Sequence, residues 1–160
     1  MTLGGHRGVL ASLGLAIAVF MVQGCSALTP APVTRIDAGD FRIQLIADAD
    51  ANDFRPVAVD LVQVSDAALL ARIETLDAAD WFRARGDVMA ENPGKMSITS
   101  WEVVAAQRVA LATLPPGPER PMASLVYALY GSPGTHRVRL PAGTPVVVHL
   151  ARTSFTATAR

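Results

Sequence analysis

The chain has 160 residues with 14 basic and 14 acidic side chains, so its formal charge at neutral pH is zero. That length suits one domain with a short appendage, and the balanced charge, with no basic stripe, excludes a nucleic-acid-binding surface. A single cysteine, Cys25, excludes an internal disulfide, which needs two thiols, and a thiolate metal cluster, which needs several ligands.

The N-terminus has three parts. Met1 to Gly8 is short and weakly basic through Arg7, and Val9 to Val22 is an uncharged apolar run of about 14 residues. Such a run has the length of a signal-peptide core and is short of the about 20 residues that a comfortable membrane span needs. Val22-Gln23-Gly24-Cys25 follows and resembles the bacterial lipobox, in which a small residue precedes the cysteine that receives lipid. The resemblance implies a signal peptide over residues 1–24 and a covalent lipid on Cys25, a diacylglycerol on its sulfur with a further acyl chain on the new N-terminus. Each buried methylene contributes about 0.8 kcal/mol, so three chains anchor a protein where one does not. Ser26, in place of the aspartate that retains such lipoproteins in the inner membrane, implies the outer membrane. Residues 25–40 then form a lipidated tether, stiffened by Pro30 and Pro32 and showing no apolar period.

From residue 41 to the end the pattern is mostly strand. "FRIQLIADA" alternates Phe41, Ile43, Leu45 and Ala47 against Arg42, Gln44, Ile46 and Asp48. "PVAVDLVQVS" places Val57, Val59 and Leu61 on one face and Asp60, Val62 and Val64 on the other. An insert over about 65–85, "SDAALLARIETLDAADWFRAR", reads as one helix or two short ones, with Leu69, Leu70, Ile73 and Leu76 at helical spacing. Asp77 has the position of an N-cap with Asp80 three residues on, and Leu76 and Trp81 have the positions of a hydrophobic staple around it. Trp81 and Phe82 are expected to pin the helix to the sheet. Further strands are expected in "KMSITSWEVV", "QRVALATL", "ASLVYALYG", "HRVRL" and, as one run, "PVVVHLARTSFTA". Pro116-Gly117, Pro133-Gly134 and "PAGTP" mark the breaks. The expected fold is all-β, a two-sheet antiparallel sandwich with a short helical insert.

No set of residues nominates a catalytic centre, a cofactor or a metal site. His136 and His149 fall on separate strands, and Ser100 and Ser154 lack the Gly-x-Ser-x-Gly setting of a hydrolase. Asp48, Asp50 and Asp53 in "ADADAND" have the spacing of half a calcium loop, but its downstream glycine and glutamate are missing, which leaves them as solvated loop acids. The chain is expected not to be an enzyme.

Taken in order, "ADADANDFRPVAVDLVQVSDAALLARIETLDAADWF", "LATLPPGPERP" and "ASLVYALYGSPGTHRVRLPAG" resemble the outer-membrane lipoprotein of the type VI secretion membrane complex. The shared features are an Asn-containing loop after the first strand, Arg55-Pro56 leading into a valine-rich strand, and an acid-rich helical stretch with Asp80-Trp81-Phe82. The resemblance covers most of residues 41–158. It implies a transthyretin-like sandwich, lipid-anchored at the periplasmic face of the outer membrane. Its partner would be the periplasmic region of a large inner-membrane subunit, docked to build an envelope-spanning complex. In that family the loop between the first two strands contacts the partner, which here assigns partner binding to Asp48, Asp50, Asn52, Asp53, Phe54 and Arg55. Phe54 would be the anchor and the acids would steer a basic partner; alternatively, Phe54 folds back to cap the sandwich. Two other functions fit the same anchor. One is a pilot or assembly lipoprotein of another envelope machine, and the other is a periplasmic carrier with a small apolar ligand between the sheets.

Overall fold

A computed structural model of the chain describes residues 42–160. The expected signal peptide over 1–24, Cys25, the tether over 25–40 and Phe41 lie outside the described residues. Eight strands and two helices follow in the order β1 (Ile43–Ala47), β2 (Val57–Val64), α1 (Ala67–Ile73), α2 (Ala78–Glu91), β3 (Met96–Val103), β4 (Arg108–Leu111), β5 (Ala123–Leu129), β6 (Arg137–Pro141), β7 (Val146–Leu150) and β8 (Phe155–Ala159). They form two four-stranded sheets, β4-β1-β7-β8 and β3-β2-β5-β6. The expected sandwich is present, with one correction to its pairing. β1 and β7 run parallel, with Ile43 opposite Val146 and Ala47 opposite Leu150. The reason is topological: the chain changes sheets between β6 and β7, so β7 enters beside β1 from the same end.

Period-two alternation explains the interior. Ile43, Leu45 and Ala47 of β1 face Val57, Val59 and Leu61 of β2 across the core, joined by Val126, Ala128, Val148, Leu150 and Phe155. β2 is buried on both faces, because Val62 and Val64 meet the helices on the outer side of its sheet. Leu69, Leu70, Ile73, Trp81 and Val88 supply the helical half of that second core. The space between the sheets is filled from end to end by buried aliphatic and aromatic side chains. A small-ligand carrier therefore draws no support from the core.

The insert is two helices and not one, and the second continues to Glu91, six residues past the expected limit at Arg85. Gly86 and Asp87 are weak helix formers, but burial of Val88 carries the helix past them. Each helix opens on an aspartate. Asp66 accepts from the Leu69 N–H and Asp77 from the Asp80 N–H, both at 2.8 Å. The Leu69 N–H, followed by Lys95, holds the Asp66 carboxyl below the usual carboxylate range. The run from 145 to 157 is likewise two strands. Ala151 N–H donates to Ser154 O at 2.9 Å and closes a turn that contains neither glycine nor proline, so no residue type marks it.

Polar groups fasten the insert to its sheet. Asp60, fully buried on β2, accepts from Trp81 Nε1 at 2.9 Å and from Arg85 at 2.9 and 2.8 Å. Trp81 stacks on Tyr127 with centroids 4.7 Å apart, and the Tyr127 hydroxyl donates to Ile73 O at 2.7 Å. From β6, Arg137 donates to Leu76 O and Arg139 pairs with Glu74. Trp81 thus pins the helix as expected. Phe82 is half-buried, with the Arg85 guanidinium 4.7 Å above its ring.

Strand direction sorts the connections into two poles. β1 carries the chain from Arg42 to Ala47, so the segments 48–56, 104–107, 130–136 and 151–154 gather at the far end, the loop pole. Arg42, the segment between β4 and β5, the turn between β6 and β7, and Arg160 lie at the opposite end, the tether pole.

Candidate partner-binding loop

The loop between β1 and β2 is a tight left-handed turn held at many points. Asn52, Asp53 and Phe54 all have positive φ, at 48°, 51° and 63°. For residues with a Cβ this region costs roughly 1–2 kcal/mol each, so three in succession persist only where the surroundings over-determine them. Asn52 is the type best suited to it, and it is buried. Its N–H donates to Ala151 O at 3.2 Å, its Nδ2 to Pro56 O at 3.0 Å, and its Oδ1 accepts from the Gly131 N–H at 2.9 Å. The Asn52 side chain therefore joins the loop to β5's exit, and its backbone N–H joins it to the β7–β8 turn. Asn52→Ala strands the Gly131 donor and keeps the left-handed strain without the residue that tolerates it. It is expected to cost about 2–3 kcal/mol of unfolding free energy in urea titration, with Asn52→Gly losing less.

The loop acids do not stand free. Asp48 Oδ1 lies 2.8 Å from His149 Nε2, and Asp53 Oδ1 accepts from Arg152 Nε at 2.8 Å. The hydrogen bond that Arg152 donates to Asp53, then the negative charges of Asp53 and Asp50, raise the pKa of Arg152 above its ordinary value. The backbone of Asp48 also accepts from Ala51 and Ala106, tying in the β3–β4 turn. Asp48 and Asp53 therefore brace the loop against side chains of their own chain, whereas Asp50 has no side-chain hydrogen bond or ion pair among the described residues. Arg55 is exposed, and a Cβ placed on Gly131 would come within 3.1 Å of its guanidinium.

Phe54 points outward and is 72% exposed, the most exposed of the large hydrophobic side chains described. The alternative that it folds back to cap the sandwich is excluded. Tyr130 performs that capping instead: its ring stacks with His136 at 4.9 Å and lies parallel to Phe155 at 6.5 Å, and its hydroxyl donates to Ala151 O. Sequence reasoning missed Gly131, His149 and Arg152 as supports, because each lies about 80 to 100 residues from its loop contact, and it missed Tyr130, which bonds Ala151 across 21 residues; no local pattern records such pairings. Among the described residues, five of the six non-glycine residues with positive φ (Asn52, Asp53, Phe54, Ala106 and His136) lie at the loop pole. Strain is concentrated at the pole where Phe54 is displayed.

The two four-stranded sheets with helices over one outer face define a class of β-sandwich with a helical insert, and the display loop sits at one of its poles. Several solved structures of the same fold come from one secretion machine. One is the T6SS lipoprotein TssJ1 of Pseudomonas aeruginosa, at 15% identity and a TM-score of 0.54, covering 74% of this chain and 93% of that one. A chain of a structure described as the T6SS protein TssM C-terminal domain (869-1107) from EAEC matches at 16% identity and a TM-score of 0.52, covering 74% and 96%. A chain of a type VI membrane complex matches at 15% and 0.52, covering 72% and 95%. At these identities the likeness is one of fold, and it falls on the same group of proteins that the sequence resembles. No family model and no curated protein matches the chain.

Proposed function

We propose that the protein is a non-catalytic lipoprotein, held by Cys25 at the periplasmic face of the outer membrane. It docks the periplasmic region of a large inner-membrane subunit to assemble a type VI secretion membrane complex. The observation that carries this reading is Phe54, displayed on a braced, strained loop at the pole opposite the one where the chain enters from Cys25. An exposed aromatic on a pre-organised support loses little entropy on binding, which is what a recognition anchor requires. The arrangement also aims the loop away from the tethered end, toward a partner that reaches across the periplasm. The fold shared with a T6SS lipoprotein supports the same reading.

Purification of the lipidated chain from detergent-solubilised envelopes of its own organism tests this. The expected result is co-purification of a large inner-membrane subunit of the secretion complex, identified by mass spectrometry. Recovery of components of a different envelope machine in its place would reassign the protein as a pilot or assembly lipoprotein. The anchor has its own test. Cys25→Ser is expected to leave the precursor unlipidated and to remove the protein from outer-membrane fractions; a variant that still fractionates there overturns the anchor.

A further inference from the structure

The tether pole carries features that the docking loop does not use. Arg42 opens the described chain there, its N–H bonded to Leu111 O and its carbonyl accepting from the Val146 N–H. The connection between β4 and β5 crosses from one sheet to the other as "ATLPPGPERPM" and ends on Met122, whose N–H donates to Val64 O and whose side chain is 54% exposed. Arg120 lies in the same segment, exposed and with φ at 50°. Neither Arg42 nor Arg120 forms an ion pair among the described residues. The acids at this end are Glu119, within the segment, Asp66, paired with Lys95 at 3.2 Å, and Glu91 at the end of α2, paired with Arg72 at 2.8 Å. Asp48, Asp50, Asp53 and Glu102 lie toward the loop pole, together with Arg55, Arg108 and Arg152. The end where the described chain begins thus presents two arginines without an ion pair and an exposed methionine.

The length of chain outside the described residues says what that end faces. From Cys25 to Arg42 the chain spans at most roughly 60 Å even fully extended. A lipid on Cys25 therefore keeps the tether pole within roughly 60 Å of a bilayer. Tethering raises the local concentration of the surface, so contacts too weak to recruit a free protein suffice to orient a tethered one.

We propose that the tether pole is a bilayer-facing surface that rests on anionic phospholipid, with Arg42 and Arg120 against headgroup phosphates and Met122 at the headgroup boundary. The proposal rests on the Cys25 anchor. It turns the lipoprotein from a domain on a free leash into one whose display loop is held outward.

The test uses the full lipidated chain in vesicles of phosphatidylethanolamine and phosphatidylglycerol, with a fluorophore on an introduced thiol, either Thr113→Cys at the tether pole or Thr153→Cys at the loop pole. Nitroxide headgroup lipids are expected to quench the label at 113 several-fold more than the label at 153. Combining Arg42→Glu and Arg120→Glu, or replacing phosphatidylglycerol with phosphatidylcholine, is expected to remove that difference while flotation with the vesicles persists. Equal quenching of the two labels in a chain that floats overturns this proposal alone. A chain that does not float with vesicles of either composition overturns the anchor and this proposal with it.

Discussion

Asp60→Ala is expected to destabilise the domain by about 3 kcal/mol or more, the largest loss of any single polar substitution in it. Asp60 is fully buried and is the shared acceptor for the indole of Trp81 and the guanidinium of Arg85. Removing it strands the indole N–H inside the second core and leaves Arg85 without its counter-charge. Arg85 is 37% exposed and can turn to water, which places the expected cost at the lower end of the range for a broken buried pair. A domain with a typical stability of about 5–15 kcal/mol loses a large share of it. Urea titration followed by near-ultraviolet circular dichroism reads both the global loss and the release of Trp81 from Tyr127. Amide exchange along α2 is expected to speed up before that of the inner strands, because the substitution cuts the fastening of the insert and leaves the aliphatic core between the sheets intact. A loss below about 1 kcal/mol would show that Trp81 stacking and aliphatic contacts hold the insert by themselves.

Phe54→Ala is expected to act in the opposite way, with a large loss of partner affinity and almost none of stability. Truncating a central aromatic anchor costs about 2–4 kcal/mol of binding, a fall of roughly 30- to 1000-fold. The side chain is 72% exposed and touches little of its own domain, so the unfolding free energy is expected to change by less than about 0.5 kcal/mol. Phe54→Gly sharpens the contrast, since glycine relieves the strain of the positive φ at that position. It is expected to be at least as stable as Phe54→Ala and to bind as poorly. Titration of the inner-membrane subunit's periplasmic region onto each variant by calorimetry, beside urea titration of the variant alone, separates the two quantities. Undiminished affinity with Phe54 removed would move the interface off this loop.

The two predictions differ because the chain uses its polar and aromatic residues in two settings. Trp81, Tyr127 and Asp60 are buried together, where each satisfies the next and the group holds the insert down. Phe54 has no such surroundings. Its support comes from Asn52, Asp53 and Asp48, whose bonds to Gly131, Arg152 and His149 hold the loop in a conformation costly to adopt in isolation.

Much of this was legible in the sequence, for a reason that is local in each case. Alternation in "RIQLIA" and "VAVDLVQV" determined two strands and which side of each faces inward, because successive side chains on a strand point to opposite faces. Asp77 and Asp80 before an apolar helical period determined where α2 begins, since a helix start must satisfy its own free N–H groups within a few residues. The outward Phe54 was left open, because exposure of a loop aromatic depends on what lies above it. Only the tertiary structure decided that Tyr130 takes the capping place, that Asp48 and Asp53 are held by His149 and Arg152, and that β7 runs parallel to β1. It also decided the direction of the described domain, which begins with Arg42 at one pole and displays Phe54 at the other. Local propensities act over a turn or a strand, whereas these facts depend on residues from 21 to 101 positions apart meeting in space. That meeting is set by how the two sheets stack, which no short stretch of the chain encodes.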